Sequence, residues 1–340
     1  MSASNPAEGA DMSDAANGGS DRTFTDVIFD LGGVVLRWEP HRAYEQVMPP
    51  DQVGDFMDEI CFKEWNLRHD AGRDWDEGEA ELISRMPHRR EAIEAYRRYF
   101  DQTITGMVPG TGAIMTELRQ ADKRILALTN WSADLFHPTR RRFGLLNRFA
   151  GIVVSGEEGI AKPDPQLFKI VFDRYGVDPE SAIFIDDNPH NCDTAEGLGL
   201  EVIRFTDATA ARRRLVELGL LGERPVVPGP MYHIAKRKQW EAAKEHGNYC
   251  WSTRRVTYET QGFVHCCRAA QVADVRKRSY SDLADDELVV LQLDPSSVSA
   301  PVIMETDPAT GEEYPHLYGD LKPADVTAEL PVSAVVGAAL

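Results

Sequence analysis

Thr25-Asp26-Val27-Ile28-Phe29-Asp30-Leu31-Gly32-Gly33-Val34-Val35-Leu36 is the stretch on which the fold turns. An apolar, β-branched run ends on one carboxylate, and a glycine pair follows at once. A parallel strand buried on both faces reads as such an unbroken run, and open α/β sheets bind ligands at the carboxyl ends of their strands. The pattern predicts a strand that delivers Asp30 to a site, with Gly32 and Gly33 allowing close backbone approach to a ligand. Taken alone, the stretch fits equally well a core strand ending in a turn aspartate.

Later segments decide the matter. Residues 124–130 (RILALTN) form a second apolar run, ending in the hydroxyl of Thr129 and the amide of Asn130. Residues 151–155 are a third run, followed by a loop carrying Lys162. Residues 182–187 (AIFIDD) are a fourth, ending in Asp186 and Asp187 with Asn191 just beyond, and residues 199–205 are a fifth. Helical segments alternate with these runs, which predicts an α/β doubly wound parallel sheet of Rossmann-like type. Strand-end groups then converge on one sheet edge. A carboxylate there can attack phosphorus and split one hard hydrolysis into two easier steps. Magnesium takes one or two carboxylates together with water and phosphate oxygens, which Asp30, Asp186 and Asp187 can supply. Thr129 and Lys162 would hold the transferring phosphoryl oxygens.

Residues 23–218, with these four ordered motifs, resemble the haloacid dehalogenase-like hydrolases, with a helical cap inserted at about 39–106. The resemblance implies Asp30 as nucleophile and Thr129 and Lys162 as catalytic partners. It implies phosphate binding by Thr129, Asn130, Lys162 and Gly33, and magnesium binding by Asp30, Gly32, Asp186 and Asp187. One position departs from the phosphatase pattern: Gly32 stands where a second aspartate usually acts as general acid and base. Losing a positioned acid typically costs about 10²–10⁴ in rate. The expected substrate is therefore a small phosphorylated metabolite with a good leaving group, such as a sugar-1-phosphate, or else a cap residue such as His41 or His69 supplies the proton. Halogen-removing members also lack that aspartate, so a 2-haloacid dehalogenase is the alternative. The paired acids Asp186 and Asp187 favour the phosphatase. The crowded segment 62–78, with Trp65, Arg68, His69, Asp70, Arg73 and Trp75, is a candidate for facing the substrate.

The 340 residues suggest two domains, and 42% apolar with 27% charged residues is an ordinary globular composition. A net charge of −18 argues against a general nucleic-acid partner. Residues 1–22 lack apolar periodicity and are expected to be a disordered tail without signal-peptide character. The closing apolar segment 332–340 is too short for a membrane span, so no membrane partner is expected. Five cysteines, odd in number and without Cys-x-x-Cys spacing, point to a reducing cytoplasm, with Cys266 and Cys267 as buried small hydrophobes.

Residues 219–230, with Pro225, Pro228, Gly229 and Pro230, read as a linker. Beyond it short strands and turns predict an α+β domain over 231–336, with a polar helix at 236–246 whose Trp240 is buried on one side at most. Segments starting at Tyr232-His233-Ile234, Gly262-Phe263-Val264-His265-Cys266-Cys267 and Pro315-His316-Leu317-Tyr318-Gly319 resemble an uncharacterised bacterial domain family grouped with ADP-ribosyltransferase-like folds. That resemblance implies an NAD or ADP-ribose-like ligand held by His233, His265, His316 and Tyr318. It leaves two further readings open: a transferase using NAD through this domain, and a non-catalytic phosphate-binding scaffold.

Overall fold

The computed structural model describes residues 22–336. The expected disordered tail therefore lies outside the described residues except for Arg22, as does the end of the closing apolar segment. The first seven strands are β1 (Asp26–Phe29), β2 (Leu36–Trp38), β3 (Ile104–Met107), β4 (Arg124–Thr129), β5 (Gly151–Val154), β6 (Ala182–Asp186) and β7 (Glu201–Arg204). Five of them form a parallel sheet in the order β5-β4-β1-β6-β7. Central β1 is covered on both faces, and Val27, Ile28 and Phe29 are at most 1% exposed, which explains its unbroken apolar run. The chain works outward from β1 through β4 to β5, then crosses to β6 on the other side. The crevice where ligands bind in such sheets opens at that reversal, between the ends of β1 and β6.

β2 and β3 pair antiparallel and carry the chain out to the cap and back. Between them lie six short helices, the longer ones being Pro50–Glu59, Phe62–Asp70, Trp75–Arg85 and Arg90–Arg98. Their shared core is aromatic: Tyr44 packs edge-on to Phe56, Phe62 to Tyr96, and Trp65 to Trp75, with ring centroids 5.1–5.5 Å apart. Such pairs contribute roughly 0.5–1.5 kcal/mol each beyond the area they bury. Helix Trp75–Arg85 starts where Asp74 accepts the Glu77 N–H at 3.0 Å, satisfying one otherwise unpaired donor.

The remaining strands are β8 (Met231–Lys236), β9 (Val264–His265), β10 (Leu288–Leu293), β11 (Val302–Thr306), β12 (Glu313–Leu317) and β13 (Val326–Leu330). They make two antiparallel sheets, β13-β10-β8 and β11-β12-β9, bridged at Tyr232 and Cys267. With helices Arg237–His246 and Val272–Tyr280 this is an α+β arrangement. Trp240 corrects the expectation of one-sided burial: it is 1% exposed, edge-on to Tyr249. The polar composition around it hid a single deeply buried anchor. β13, too weakly apolar to read from sequence, alternates half-buried and exposed residues as a sheet-edge strand does.

The segment 219–230 has neither helix nor strand, yet it is pinned to the first sheet's helices. Leu220, Leu221 and Val227 are buried, and Arg224 and Arg212 both grip Glu117, at 2.8 and 2.7 Å. The two parts of the chain also meet directly. Tyr318 Oη lies 2.8 Å from both Thr116 Oγ1 and Arg148 Nη1, and Arg142 reaches Glu259 at 2.9 Å. Among the described residues no helix is long and apolar enough to cross a membrane.

Candidate active site

Asp30 follows β1 directly, and its N–H continues the sheet ladder by donating to the Ile185 carbonyl at 2.8 Å. Its side chain therefore stands at the β1/β6 crevice. Lys162 reaches the same point from the loop after β5, 2% exposed, with Nζ 2.8 Å from Asp30 Oδ1 and 2.7 Å from Asp186 Oδ2. Asp187 completes the cluster, and ligand oxygens of Asp30, Asp186 and Asp187 lie within 4.8 Å of one another. Asp186 is held by the Asn188 N–H at 2.8 Å and by the Asn191 amide at 3.0 Å.

The charges do not balance. Three carboxylates face one ammonium, which leaves a surplus of two negative charges when all are ionised. Burial, the Asp186 and Asp187 charges and the opposing pull of Lys162 together leave the Asp30 carboxyl above the usual carboxylate range. Burial alone would lower the Lys162 ammonium, but Asp30 and Asp186 outweigh it and hold it above its ordinary value. A divalent cation on the three carboxylates would cancel the surplus. A second vacancy points the same way: Thr129 Oγ1 is buried with no hydrogen-bond partner among the described residues. An orphaned hydroxyl at a strand end is a ready donor to a phosphoryl oxygen. The residues present thus fit both a magnesium ion and a phosphate.

These groups open into a cavity of about 590 Å³ between sheet edge and cap. Asp30, Gly32, Gly33, Asn130, Trp131, Lys162 and Asp187 to Asn191 line it from the sheet. Trp38, Lys63, Asn66, Leu67, Asp70, Tyr96 and Phe100 line it from the cap. Gly33, at φ +80°, is required by contact: a Cβ there would sit 2.5 Å from Asp187 Oδ2. At Gly32 a Cβ would meet nothing within 4 Å.

Of the residues expected at this site, Asp30, Gly32, Gly33, Lys162 and Asp187 line the cavity and Asp186 is joined to them through Lys162, whereas Thr129 is buried at the end of β4 and is not among the lining residues. Asn130 is also present, but its amide is already engaged. Nδ2 donates to the Lys162 carbonyl at 2.9 Å and Oδ1 accepts the Lys162 N–H at 2.8 Å, so the side chain positions Lys162. The two suggested proton donors are not at the cavity. His41 is exposed between Glu39 and Glu45. His69 is buried and stacked on Trp75 at 3.9 Å, and burial lowers its pKa to about 4. The segment 62–78 does face the cavity, though through other side chains than most of those singled out. Lys63, Asn66, Leu67 and Asp70 fall at i, i+3, i+4 and i+7, one face of a helix. That polar stripe was the available signal, and the aromatic residues around it obscured it.

The C-terminal sheets enclose a second cavity of about 420 Å³, lined among others by Tyr232, His265, Arg278, Tyr280, Glu305 and His316. His316 Nδ1 meets Glu305 at 2.6 Å and its ring stacks on Phe263 at 4.0 Å. His265 Nδ1 pairs with Ser252 Oγ at 2.8 Å, and burial pushes its pKa down to about 3. Of the other expected ligand residues, His233 also lines this cavity and Tyr318 does not. The ring of His233 is occupied at both nitrogens, by the His265 carbonyl at 2.7 Å and Tyr249 Oη at 3.1 Å. Tyr318 Oη joins Thr116 and Arg148 and also donates to Glu305 in the cavity wall at 2.6 Å. Cys266 and Cys267 are free and buried, as small hydrophobes would be.

Residues 27–199 match the family described as haloacid dehalogenase-like hydrolase. The chain belongs to that family. Residues 234–335 of this haloacid dehalogenase-like hydrolase match a second family, described as a protein of unknown function, DUF952. The phosphoserine phosphatase of Thermus thermophilus is 36% identical over 100 residues, which are 29% of this chain and 39% of that protein. The sesquiterpene phosphatase of Aspergillus oryzae is 27% identical over 198 residues, 58% of this chain and 97% of that protein. A HAD family enzyme of known structure from Bacteroides thetaiotaomicron is 20% identical, with a TM-score of 0.45. That match covers 55% of this chain and 95% of the other. Both of these curated relatives are named as phosphatases.

Proposed function

We propose that residues 23–218 form a magnesium-dependent phosphohydrolase that works through an aspartyl-phosphate on Asp30, with residues 231–336 as an appended ligand-binding unit. The observation that carries this reading is Lys162, buried between Asp30 and Asp186, with Asp187 alongside and the surplus of two negative charges. A dehalogenase needs no cation and has no use for that surplus, so the cluster speaks for phosphoryl transfer.

Asp30 attacks phosphorus, an oxygen–phosphorus bond forms, and the ester oxygen leaves opposite it. Lys162 and the unpartnered Thr129 hydroxyl hold the phosphoryl oxygens as charge redistributes. Asn130 keeps Lys162 in place through its backbone. Magnesium on Asp30, Asp186, Asp187 and the Gly32 carbonyl would supply charge neutralisation for phosphate beside a carboxylate nucleophile. Water then hydrolyses the aspartyl-phosphate and regenerates Asp30. With Gly32 in place of an acid on this loop, the reaction needs either a substrate with a weakly basic leaving oxygen, a sugar-1-phosphate among them, or a proton donor elsewhere at the cavity.

The test is phosphate release over a panel of phosphorylated metabolites, with and without magnesium, beside Asp30→Asn. Turnover is expected to need magnesium and to vanish in Asp30→Asn. Turnover that survives the substitution contradicts the reading.

A second reading concerns the C-terminal cavity, where an aromatic lining with Arg278 and the Glu305–His316 pair suits a flat ring joined to an anionic group. An NAD or ADP-ribose-like ligand has that chemistry. NAD is expected to raise the melting temperature of the full chain, and His316→Ala to abolish the rise. No shift with NAD or ADP-ribose would end this reading.

A further inference from the structure

Proton-bearing groups that line the first cavity, outside the Asp30 cluster, are Lys63, Asp70, Tyr96 and His190. Only Asp70 is both fixed in place and suited to give up a proton near neutral pH. Lys63 and His190 are exposed at the rim. Burial holds the Tyr96 phenol well above its ordinary pKa.

Asp70 ends the cap helix Phe62–Asp70, yet it is anchored to the sheet rather than to the cap alone. Its carbonyl accepts a hydrogen bond from Ser155 Oγ, in the segment just after β5. That hydroxyl also accepts the Trp131 N–H at 2.9 Å, so one side chain ties Asp70 to the loop after β4. The following turn packs backbone against backbone. Gly72, at φ +89°, leaves room so small that a Cβ would lie 3.3 Å from Gly159 Cα. The carboxyl group itself is oriented by Asn66, whose amide donates to Oδ2 at 2.8 Å, and it lies against the backbone of Ser132. The Asp30 charge faces it from the sheet.

We propose that Asp70 is the general acid and base of this enzyme, carried on the cap in place of the acid missing at Gly32. The inference rests on the phosphohydrolase reading above. In the first step the Asp70 proton passes to the leaving oxygen as its bond to phosphorus breaks, so the alcohol departs neutral. In the second step the Asp70 carboxylate takes a proton from the water that attacks the aspartyl-phosphate, which restores the starting form. Burial raises the Asp70 pKa to about 7, with a hydrogen bond from the Ser132 backbone opposing it and the Asp30 charge adding a smaller push upward. Near neutral pH the group therefore holds a proton part of the time and gives it up readily, which suits both steps.

The experiment measures kcat/KM for wild type, Asp70→Asn, His190→Gln and the double variant Asp70→Asn with Gly32→Asp, over aryl and alkyl phosphates of graded leaving-group basicity. Asp70→Asn is expected to lose about 10²-fold or more on alkyl phosphates, the usual scale of general acid catalysis, while 4-nitrophenyl phosphate changes little. The fall of kcat/KM at alkaline pH, where the acid loses its proton, should disappear in Asp70→Asn. Adding Gly32→Asp should restore part of the alkyl rate, and His190→Gln should show no loss selective for alkyl phosphates. An equal loss across all leaving groups in Asp70→Asn, or the selective loss appearing in His190→Gln instead, overturns the proposal. Failure of the phosphohydrolase reading looks different: wild type would then turn over none of the esters, or Asp30→Asn would turn them over too.

Discussion

At the scale of single residues, the site depends on one ammonium facing three carboxylates. Lys162→Met removes the only cation between Asp30 and Asp186 and leaves buried acids unpaired, so a loss of about 10²–10³ in kcat is expected from the missing phosphoryl contact alone. Gly32 gives a prediction of opposite sign. A Cβ at that position meets nothing within 4 Å, so Gly32→Asp should fold and place a second acid at the cavity. In the Asp70→Asn background its rate gain should grow with the basicity of the leaving group; an equal gain for all esters would show that the added carboxyl does not donate a proton. Asp30, Lys162, Asp186 and Asp187 were legible in the sequence because each follows an apolar strand, and a parallel sheet aligns strand ends. Asp70 was quoted in the sequence but not identified as an acid, since its place over the cavity depends on how the cap folds back onto Ser155. His69 misled for a related reason: its chemistry suits a proton donor, but its ring fills the space between Trp75 and Gly78.

At the scale of elements, the helix Phe62–Asp70 positions the cap wall of the cavity, and it is held by the stack behind it. Trp75 lies flat on His69, and a Cβ on Gly78 would come within 2.2 Å of the His69 ring. Gly78→Ala must push that ring and its helix aside, at a cost of roughly 1–3 kcal/mol for an overpacked core. Chemical denaturation should show the loss, and kcat/KM on alkyl phosphates should fall with it as Asp70 shifts; unchanged stability would mean the stack yields freely. The parallel strands were legible from their unbroken apolar runs, which only burial on both faces requires. The edge strand β13 was not, because a strand with one neighbour alternates too weakly to stand out from a loop.

At the scale of the whole molecule, the two parts are joined by more than the proline-rich segment between them. Tyr318 Oη bonds Thr116, Arg148 and Glu305 together, with Glu305 also holding His316 at the wall of the second cavity. Tyr318→Phe leaves these buried groups short of a partner, which typically costs about 1–3 kcal/mol. The urea midpoint should fall while kcat/KM for 4-nitrophenyl phosphate stays at the wild-type value; an unchanged midpoint would show that the contact adds nothing. The resemblance of the Pro315-to-Gly319 segment to the uncharacterised family is what put Tyr318 in a ligand site. Its partners Thr116 and Arg148 stand 202 and 170 positions away, which no local pattern reports.

The central claim is that Asp30 carries the phosphoryl group. The most direct measurement is rapid acid quenching during turnover of a phosphate ester, followed by mass spectrometry of the peptide that contains Asp30. The account predicts a phosphoryl adduct on Asp30 that forms before phosphate appears and is absent in Asp30→Asn. Phosphate released at full rate with no adduct on Asp30, or with the adduct on another residue, would contradict it.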